Sequence, residues 1–530
     1  MTAATATHVT PCSPPYDPER SSVIALERFI LATRDSGYRG TAAAIAELID
    51  NALQAGARTI RVQVDEEDGP LPLRVRVQDD GEGMDGETLR EALRFGGSSR
   101  FDDRAGLGRY GMGLPNGSLS QARRLEVYSW RGRAPLHAWL DLDEIAAGRQ
   151  RVVPEPATAP VVETVSPMGP HGTLIVWRRC DRLDLRRPSA LARRLHQHLA
   201  RVFRYFLWDG ATIEVNGEAV TPFDPLYLRG DGRAATARLY GEALVYDVDC
   251  ELPDGRRAAG RISVTLCELP VAAWHGLSND EKRALGIAKG AGASVIRAGR
   301  EIDHGWLLFG DKRRENYDDW WRCEIRFEPS LDELFGVTHT KQQVTPSDAL
   351  RRILERDLEA AARALNGRVR AAHEALAQRA RFVTSERRAG IVERRMEPLP
   401  PPTPFERAAA DRLTARHPEI DVSPAASMRY QIAVDTLDTT DLFDLLRGDG
   451  ALVVVLNAAH PFYTELYQPL ALSARPEDER TRSQLDLVLL AAARAEASAA
   501  PDERGLHARL RRHWSDVLAE FLKEQRDGEP

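Results

Sequence analysis

Residues 41–57 constrain the fold of this chain more than any other segment. The segment begins at a capping residue, Thr41, and its apolar residues from Ile45 to Ala52 recur at helical spacing, which predicts an amphipathic helix. Glu47 and Asn51 lie one turn apart on one face of that helix. The carboxylate could polarise a water molecule, and the amide oxygen could ligate Mg²⁺. For this helix alone, an ordinary polar edge is the alternative.

The next two segments, 59–64 and Leu73–Asp79, alternate apolar and polar residues across a turn-rich connection, which predicts a β-hairpin. Asp79 falls on the buried face of the second strand, where a carboxylate is costly without a partner. An adenine amine would be a suitable partner. A structural N-cap for a predicted helix at 86–95 is the alternative.

Glycines follow this strand in two places. The turn Gly81-Glu82-Gly83-Met84 allows a flat ring to approach the backbone closely. The Gly/Ser-rich run at 96–118, which leads into a predicted helix at 114–122, offers backbone N–H groups to phosphate oxygens and is long enough to form a mobile lid. A flexible connection is the alternative for that run. The Walker A spacing is absent around Lys289.

Three further strands are predicted at 125–130, 136–142 and 172–178. The last is introduced by His171-Gly172-Thr173, which would bring a hydroxyl group and an open backbone beneath the sheet.

The sequence contains four motifs in this order along the chain: Glu47-Leu-Ile-Asp-Asn51, Asp79-x-Gly81-x-Gly83, Gly108-x-x-Gly111-x-Gly113 and Gly172-Thr173. Together they resemble the Bergerat-fold (GHKL) ATPases. That superfamily holds gyrase-type topoisomerases, heat-shock chaperones, sensor histidine kinases, MutL and MORC. The resemblance is closest to the MORC/MutL-like branch.

The resemblance implies that Glu47 activates water, Asn51 binds Mg²⁺, Asp79 reads adenine, and Thr173 supports that aspartate. MutL-type proteins carry Asp where Gln54 stands here. The residues implied in ATP binding are Asn51, Asp79, Gly81, Gly83, Met84, Ser98, Gly106, Gly108, Arg109, Tyr110, Gly111, Met112, Gly113 and Thr173.

The fold class predicted for the whole chain is α+β. In chain order we expect a flexible arm (1–20), a Bergerat-fold α/β sandwich that binds ATP (21–185), a transducer-like α+β domain (186–346), a long helical segment (347–396), a Pro-rich linker (397–404) and a small α/β C-terminal domain (405–530). A mixed α+β domain directly after a Bergerat-fold domain is similar to the domain order of MutL, MORC and gyrase-type proteins.

In that group a loop carries a lysine from the second domain back to the ATP, and the resemblance assigns this catalytic role to Lys341. Lysine is scarce in the chain: Lys282, Lys289, Lys312, Lys341 and Lys523 are its only lysines. A flexible ammonium suits a terminal phosphate better than a rigid guanidinium does. A surface lysine after a strand is the alternative.

Three features beyond the motifs leave alternatives open. The arginine-rich run at 177–206 is either a phosphate-contacting patch or a solvated helix face, and we favour the latter. The long helix predicted at 348–383 repeats leucine at helical spacing. This pattern is typical of a dimer seam and equally of a domain-spanning helix. In the tail, strands are predicted at 430–435 and 451–457 and helices at 441–446, 484–497 and 506–524. A packing role is favoured for His460, and the tail receives no functional assignment.

Composition excludes several classes of protein. A formal net charge of -7 gives no bulk basicity for nucleic acid. The N-terminus lacks a signal pattern, and the longest apolar run is too short to cross a bilayer, so we expect a cytoplasmic protein without membrane contact. The scattered cysteines indicate neither a disulfide framework nor a zinc site.

The sequence therefore predicts an ATP-hydrolysing molecular switch with ATP and Mg²⁺ as cofactors. We expect an ATP-dependent homodimer, with DNA as the candidate target. A chaperone-like ATPase acting on protein clients is the alternative. A histidine-type kinase is disfavoured because no phosphoacceptor helix pair precedes the ATPase motifs, and Glu47 argues against a non-catalytic scaffold.

Overall fold

The computed structural model describes residues 26–35, 38, 40–97, 112–132, 134–158, 168–230, 236–252, 255–337, 343–393, 395–417, 419–473, 475–500 and 503–527. The chain divides into two compact units. The first comprises residues 1–269 and 279–363, and the second comprises 270–278 and 364–530. None of the helices in the described ranges is both long and apolar enough to cross a membrane.

The elements are labelled in chain order. The first part of the chain contains α1 (Leu26–Asp35), α2 (Thr41–Gln54), β1 (Thr59–Glu66), β2 (Leu73–Asp79), α3 (Gly86–Leu93), α4 (Gly113–Leu119), β3 (Ala122–Arg131), β4 (Leu136–Asp141), α5 (Leu142–Ala146), β5 (Ala157–Thr158), β6 (His171–Cys180), α6 (Pro188–Val202), α7 (Arg204–Trp208), β7 (Thr212–Val215) and β8 (Glu218–Ala219).

The middle part contains β9 (Arg238–Leu239), β10 (Leu244–Glu251), β11 (Arg257–Glu268), α8 (Val271–Trp274), α9 (Asn279–Ala284), β12 (Ala293–Arg297), β13 (Arg300–Gly305), β14 (Trp321–Phe327), α10 (Asp332–Phe335) and α11 (Asp348–Glu393). The last part contains α12 (Pro404–Arg416), β15 (Tyr430–Asp435), β16 (Phe443–Arg447), β17 (Leu452–Asn457), α13 (Gln468–Leu472), α14 (Pro476–Ser498) and α15 (Arg504–Asp527).

The first sheet has eight strands in the order β5-β4-β3-β6-β2-β1-β7-β8. The predicted hairpin is present, because β1 and β2 pair antiparallel with Ile60 opposite Asp79. Every second residue of β2 is buried, which places Asp79 on the same face as Leu73, Val75 and Val77. Apolar side chains of this sheet pack with those of α2 and α6 in one hydrophobic core.

Helix α2 forms as predicted but ends at Gln54, and a distant residue caps its start. The Asp184 carboxylate accepts a hydrogen bond from the Thr41 backbone N–H at 2.8 Å. The Thr41 hydroxyl accepts one from the Asp184 N–H at 3.0 Å and donates to Gln121. Most of the helix is buried, including Ile45 and Leu48. Truncating such a buried leucine to alanine typically costs about 2–5 kcal/mol.

The second sheet has six strands in the order β10-β11-β14-β12-β13, with β9 paired to β11. Strands β12 and β14 run parallel, and the other neighbouring pairs run antiparallel. This mixed sheet belongs to the first compact unit together with the first sheet. The predicted boundary between the two domains stays a prediction.

The favoured interpretation of the arginine-rich run as a solvated helix face is wrong for its last two arginines, Arg201 and Arg204. Arg204 is fully buried, with Nη1 2.7 Å from Glu301 Oε2 and Nη2 2.6 Å from Glu324 Oε2. Arg201 also binds Glu301. Burial opposes ionisation of Glu301, but these two guanidinium groups lower the pKa of its carboxyl to about 2. Internal ion pairing explains these arginines, because a buried charge requires a partner.

The long helix α11 extends ten residues beyond the predicted end, to Glu393. Its leucines at the start, Leu350, Leu354 and Leu358, are fully buried within the chain. A dimer seam needs these side chains exposed in the single chain, so their burial favours the alternative of a domain-spanning helix.

The second unit contains a three-stranded sheet in the order β15-β17-β16. The predicted strands at 430–435 and 451–457 correspond to β15 and β17, which pair in parallel. The helix predicted at 441–446 is wrong, because Phe443–Arg447 forms strand β16, antiparallel to β17. Strand β17 is buried along its whole length, so pairing on both of its edges overrides the local helical pattern. Helices α14 and α15 confirm the two later helix predictions.

His460 has the packing role that was favoured for it. Its Nδ1 accepts a hydrogen bond from the Phe462 N–H at 3.0 Å, so its Nε2 carries the proton and donates to the Ser515 carbonyl at 3.1 Å. Burial lowers the pKa of this imidazole, which favours the neutral form that makes both bonds.

Candidate functional site

Glu47 is buried against the start of α4. A Cβ atom at Gly113 would collide with Glu47 Oε1, so the close approach of these two elements requires glycine at that position. Asn51 follows one turn later on α2 and is half-buried. Of the predicted pair, Glu47 therefore borders the N-terminus of α4, with Met112 directly before that helix.

Asp79 is buried at the end of β2 and is held by the turn that follows it. Its Oδ1 accepts a hydrogen bond from the Gly81 N–H at 2.9 Å. Burial raises the pKa of this carboxyl to about 6, although the Gly81 and Thr173 backbone N–H groups and the nearby His171 act in the opposite direction. A buried carboxylate with a raised pKa is a candidate acceptor for a hydrogen bond from a ligand.

The turn after Asp79 is closed by contacts with neighbouring strands. Gly83 has a φ of +67°, and a Cβ atom there would collide with the Trp130 carbonyl oxygen. The Met84 N–H donates to Ser129 Oγ at 2.8 Å. His171 Nδ1 donates to the Gly81 carbonyl at 2.7 Å, because a carbonyl oxygen only accepts.

Thr173 lies opposite Asp79 in the pairing of β2 with β6, as the last motif predicts. Its hydroxyl is 3.0 Å from the hydroxyl of Ser129, which is fully buried. Ser129 thus joins Thr173 to the Met84 turn. The motif analysis missed this residue, and the available signal was a hydroxyl within the apolar strand Val127-Tyr128-Ser129-Trp130.

Helix α2 connects the two parts of the site. Its buried Glu47 meets Gly113, and its C-terminal end meets the turn after Asp79, where the Glu82 N–H donates to the Ala55 carbonyl at 2.9 Å. The structure therefore groups Asp79, Gly81, Gly83, Met84 and Thr173 at one end, and Glu47, Met112 and Gly113 further along the helix. The predicted site residues Ser98, Gly106, Gly108, Arg109, Tyr110, Gly111 and Lys341 lie outside the described residues.

An ion pair that the sequence analysis did not predict lies behind this site. Asp50 is fully buried on α2, and its Oδ2 is 2.8 Å from Nε of Arg300 at the start of β13. Burial, followed by the charge of Glu47, raises the pKa of the Tyr38 hydroxyl, which places Tyr38 in the same cluster. The signal in the sequence was a carboxylate within the apolar face of an amphipathic helix.

The described residues contain no group of three or more His, Cys, Asp or Glu side chains that could hold a metal ion. Mg²⁺ that accompanies a nucleotide needs few protein ligands, because phosphate oxygens and waters complete its octahedral shell. A single amide oxygen from half-buried Asn51 fits that requirement.

Comparison with known proteins identifies the same region. The profile of the family described as "Histidine kinase-, DNA gyrase B-, and HSP90-like ATPase" matches residues 38–173. The matched segment contains α2 and the Asp79 turn, and it ends at Thr173.

Three relatives illustrate the similarity. A "DNA mismatch repair protein MutL" from Chromohalobacter salexigens is 37% identical over 122 residues, 22% of this chain and 18% of the relative. Another MutL, from Thermus aquaticus, is 31% identical over 233 residues, 43% of this chain and 38% of the relative. The "ATPase morc-1" of Caenorhabditis elegans is 38% identical over 95 residues, 18% of this chain and 11% of the relative.

The chain spans less than two-fifths of the length of each of these relatives. The similarity therefore describes the region that holds the site, and the rest of each relative has no counterpart in these matches. The predicted resemblance is confirmed for that region: residues 38–173 form a domain of the histidine kinase-, DNA gyrase B- and HSP90-like ATPase family, on the branch that includes MutL and MORC proteins.

Proposed function

We propose that this chain is an ATP-hydrolysing molecular switch whose N-terminal site binds ATP with Mg²⁺. The observation that carries the proposal is the buried Asp79 carboxylate at a strand end, fixed by the Gly81 N–H and backed by Thr173. An ionised carboxylate in that position accepts a hydrogen bond from the exocyclic amine of adenine.

Hydrolysis is assigned to Glu47. Its buried carboxylate faces the beginning of α4, which lies within the Gly/Ser-rich run. A general base in this position would activate the water that attacks the terminal phosphate. Asn51, one turn later on the same helix, would supply the protein oxygen ligand of Mg²⁺, whose charge would offset that of the phosphates.

Lys341 is assigned to the terminal phosphate. Two residues that follow its segment, Val344 and Thr345, are anchored in the first unit. The Val344 N–H donates to Asp303 Oδ2 at 2.8 Å, and the Thr345 N–H donates to the Phe335 carbonyl at 3.0 Å. A lysine three residues before such an anchor in the sequence would bind the terminal phosphate of ATP and release it after hydrolysis.

The switch is completed by pairing of two copies when ATP is bound, and DNA is the candidate target. Relatives named as DNA mismatch repair proteins support this choice, although they match only part of their own length. For a switch of this kind, the affinity for the target must differ between the ATP-bound and the ATP-free state.

The test combines three measurements on the full chain. Phosphate release from ATP should be detectable and should require Mg²⁺. Sedimentation of Glu47→Ala should give a larger species with ATP than with ADP. Duplex DNA should bind more tightly in the presence of a nonhydrolysable ATP analogue. Absence of ATP binding would refute the proposal, whereas an ATP-dependent change in affinity for unfolded protein in place of DNA would refute only the choice of target.

A further inference from the structure

Asp79, Thr173 and Ser129 form a row across three neighbouring strands of the first sheet. Thr173 on β6 pairs directly with Asp79 of β2 on one side and with Ser129 of β3 on the other. Side chains of directly paired residues stand on the same face of a sheet, with Cβ atoms about 4.5–5.5 Å apart. A ligand group that reaches the Asp79 carboxylate therefore also meets the Thr173 hydroxyl.

The Ser129 hydroxyl has three polar neighbours, and the chemistry of each neighbour fixes its role. A hydroxyl donates one hydrogen bond and accepts two. The Gly172 carbonyl oxygen, 3.0 Å away, only accepts, so Ser129 donates its proton there. The Met84 N–H, 2.8 Å away, only donates. One acceptor position of Ser129 remains for the Thr173 hydroxyl at 3.0 Å.

Thr173 is therefore the donor in the contact between the two hydroxyl groups. Its single hydroxyl proton is bound to Ser129 and is not available to Asp79 or to a ligand. Ser129 is fully buried, so solvent does not replace any of its three partners. Toward a ligand, Thr173 presents only lone pairs, beside an ionised Asp79 that also only accepts.

Two adjacent acceptors discriminate between purines by the group at position 6. The amine of adenine donates hydrogen bonds, whereas the carbonyl oxygen of hypoxanthine accepts them and would face lone pairs from both side chains. A polar group left without a partner in a buried site weakens binding. If the Thr173 hydroxyl were free to rotate, it would donate to that carbonyl oxygen and reduce the penalty.

We propose that Ser129 is a positioning residue for nucleobase selection, and that it acts by holding the Thr173 hydroxyl as a hydrogen-bond acceptor toward the ligand. The proposal rests on the proposed function, because it concerns a base bound beside Asp79. Ser129 itself makes no contact with the base in this arrangement and acts through Thr173.

The test compares the affinities of the full chain for adenosine and inosine, measured by calorimetry. The wild type should bind adenosine more tightly. Ser129→Ala should reduce the ratio of the two affinities about tenfold, mainly through tighter inosine binding, because the freed Thr173 hydroxyl supplies one hydrogen bond to the inosine carbonyl. Ser120→Ala is the matched control. Ser120 is also a buried serine that donates to a glycine carbonyl, that of Gly117, and its loss should leave the ratio unchanged.

A double-variant cycle separates positioning from a general structural effect. Thr173→Val removes the hydroxyl on which Ser129 acts. In that background, Ser129→Ala should no longer change the ratio. A change of equal size with and without the Thr173 hydroxyl would overturn the proposal, because Ser129 would then act by another route.

Proton release provides a second readout that loss of packing would not alter in this direction. In ligand-free Ser129→Ala, the freed Thr173 hydroxyl can donate to Asp79 and lower the pKa of that carboxyl. Adenosine binding at pH 5 should therefore release less than the proton released by the wild type. Unchanged release would overturn the assigned direction of the Thr173 hydroxyl.

Thermal unfolding of each variant shows whether it folds. If Ser129→Ala does not fold, Ser129→Cys takes its place, because a thiol has a similar shape and makes weaker hydrogen bonds. A wild-type chain that binds neither nucleoside would refute the proposed function together with this inference. Normal adenosine binding with an unchanged ratio in the folded Ser129 variant would overturn this inference alone.

Discussion

The guanidinium group of Arg300 lies against the carboxylate of Asp50, with Nε 2.8 Å from Oδ2 and both side chains almost completely buried. Asp50 lies on α2 between the proposed base Glu47 and the proposed metal ligand Asn51. Arg300 begins β13, in the second sheet. Asp303 of the same strand accepts a hydrogen bond from the N–H of Val344, three residues after Lys341 in the sequence. One strand thus contacts both Asp50 on α2, the helix that carries the proposed base, and Val344, which lies three residues after Lys341 in the sequence.

Arg300→Lys is expected to lower the rate of ATP hydrolysis more than the affinity for ATP. Lysine keeps the charge but cannot reproduce the planar guanidinium, so α2 would lose its fixed position while the Asp79 turn is preserved. Nucleotide affinity by calorimetry and the steady-state rate separate these two effects.

Arg297→Lys is the matched control, because Arg297 is a buried arginine of the same hairpin whose Nε is 2.6 Å from Asp332 Oδ1. Its effect on unfolding should be similar, but its effect on the rate should be small. If both variants reduced the rate equally, Arg300 would have only a structural role.

Glu47→Ala should retain ATP binding and lose about two to four orders of magnitude in turnover, the usual contribution of a general base. Phosphate release and nucleotide binding are measured on the same preparation. Glu87→Ala, an exposed carboxylate in the first turn of α3, is the control and should be indistinguishable from wild type. Hydrolysis by Glu47→Ala at the wild-type rate would contradict the role of this carboxylate.

The raised pKa of Asp79 predicts that adenosine binding releases a proton. The folded pKa is about 6, so below that pH most free protein carries a protonated Asp79, whereas the adenine amine requires the ionised form. Release should approach one proton per adenosine at pH 5 and decline toward zero at pH 7.

Calorimetry in two buffers that differ in ionisation enthalpy measures this release, and adenosine avoids the titration of the phosphates. His171→Asn removes a titratable side chain that lies near Asp79 and should preserve the effect. Asp79→Asn should not bind adenosine. Binding at pH 5 without proton release would show that Asp79 does not contact the amine.

The same raised pKa affects the stability of the ligand-free protein. The native state holds a proton on Asp79 between roughly pH 4 and pH 6, where the unfolded chain does not, so this group lowers stability as the pH rises through that range. Asp79→Asn should therefore gain stability relative to wild type as the pH increases from 4 to 7. Thermal unfolding of the ligand-free proteins at several pH values measures the difference. A difference that is constant over this range would contradict a raised pKa.

Lys341→Ala should reduce hydrolysis strongly and weaken binding of ATP much more than binding of ADP, because only ATP carries the terminal phosphate. Lys341→Arg should restore little activity, since the guanidinium approaches a phosphate with a different geometry. Lys282→Ala is the control, because Lys282 is assigned to the face of Trp320 and not to the nucleotide. Equal loss of affinity for both nucleotides would show that Lys341 does not reach the terminal phosphate.

The sequence by itself determined the features that depend on neighbouring residues. The alternation in β2 placed Asp79 on the buried face, and the helical spacing in α2 placed Glu47 and Asn51 one turn apart. Each motif is contiguous, so local periodicity and glycine chemistry were sufficient to predict it. The ordered set of motifs predicted the family that the comparisons confirm for residues 38–173.

Only the tertiary structure decided which distant side chains meet. Asp50 and Arg300 are separated by most of the first unit, and neither position reveals its partner in the sequence. Strand β16 has a sequence that also suits a helix, and its pairing with the buried β17 decides between the two. Periodicity shows that a face is buried, but the partner that covers it depends on the path of the chain. For the same reason, the apolar repeat of α11 did not predict that its leucines are buried within the chain.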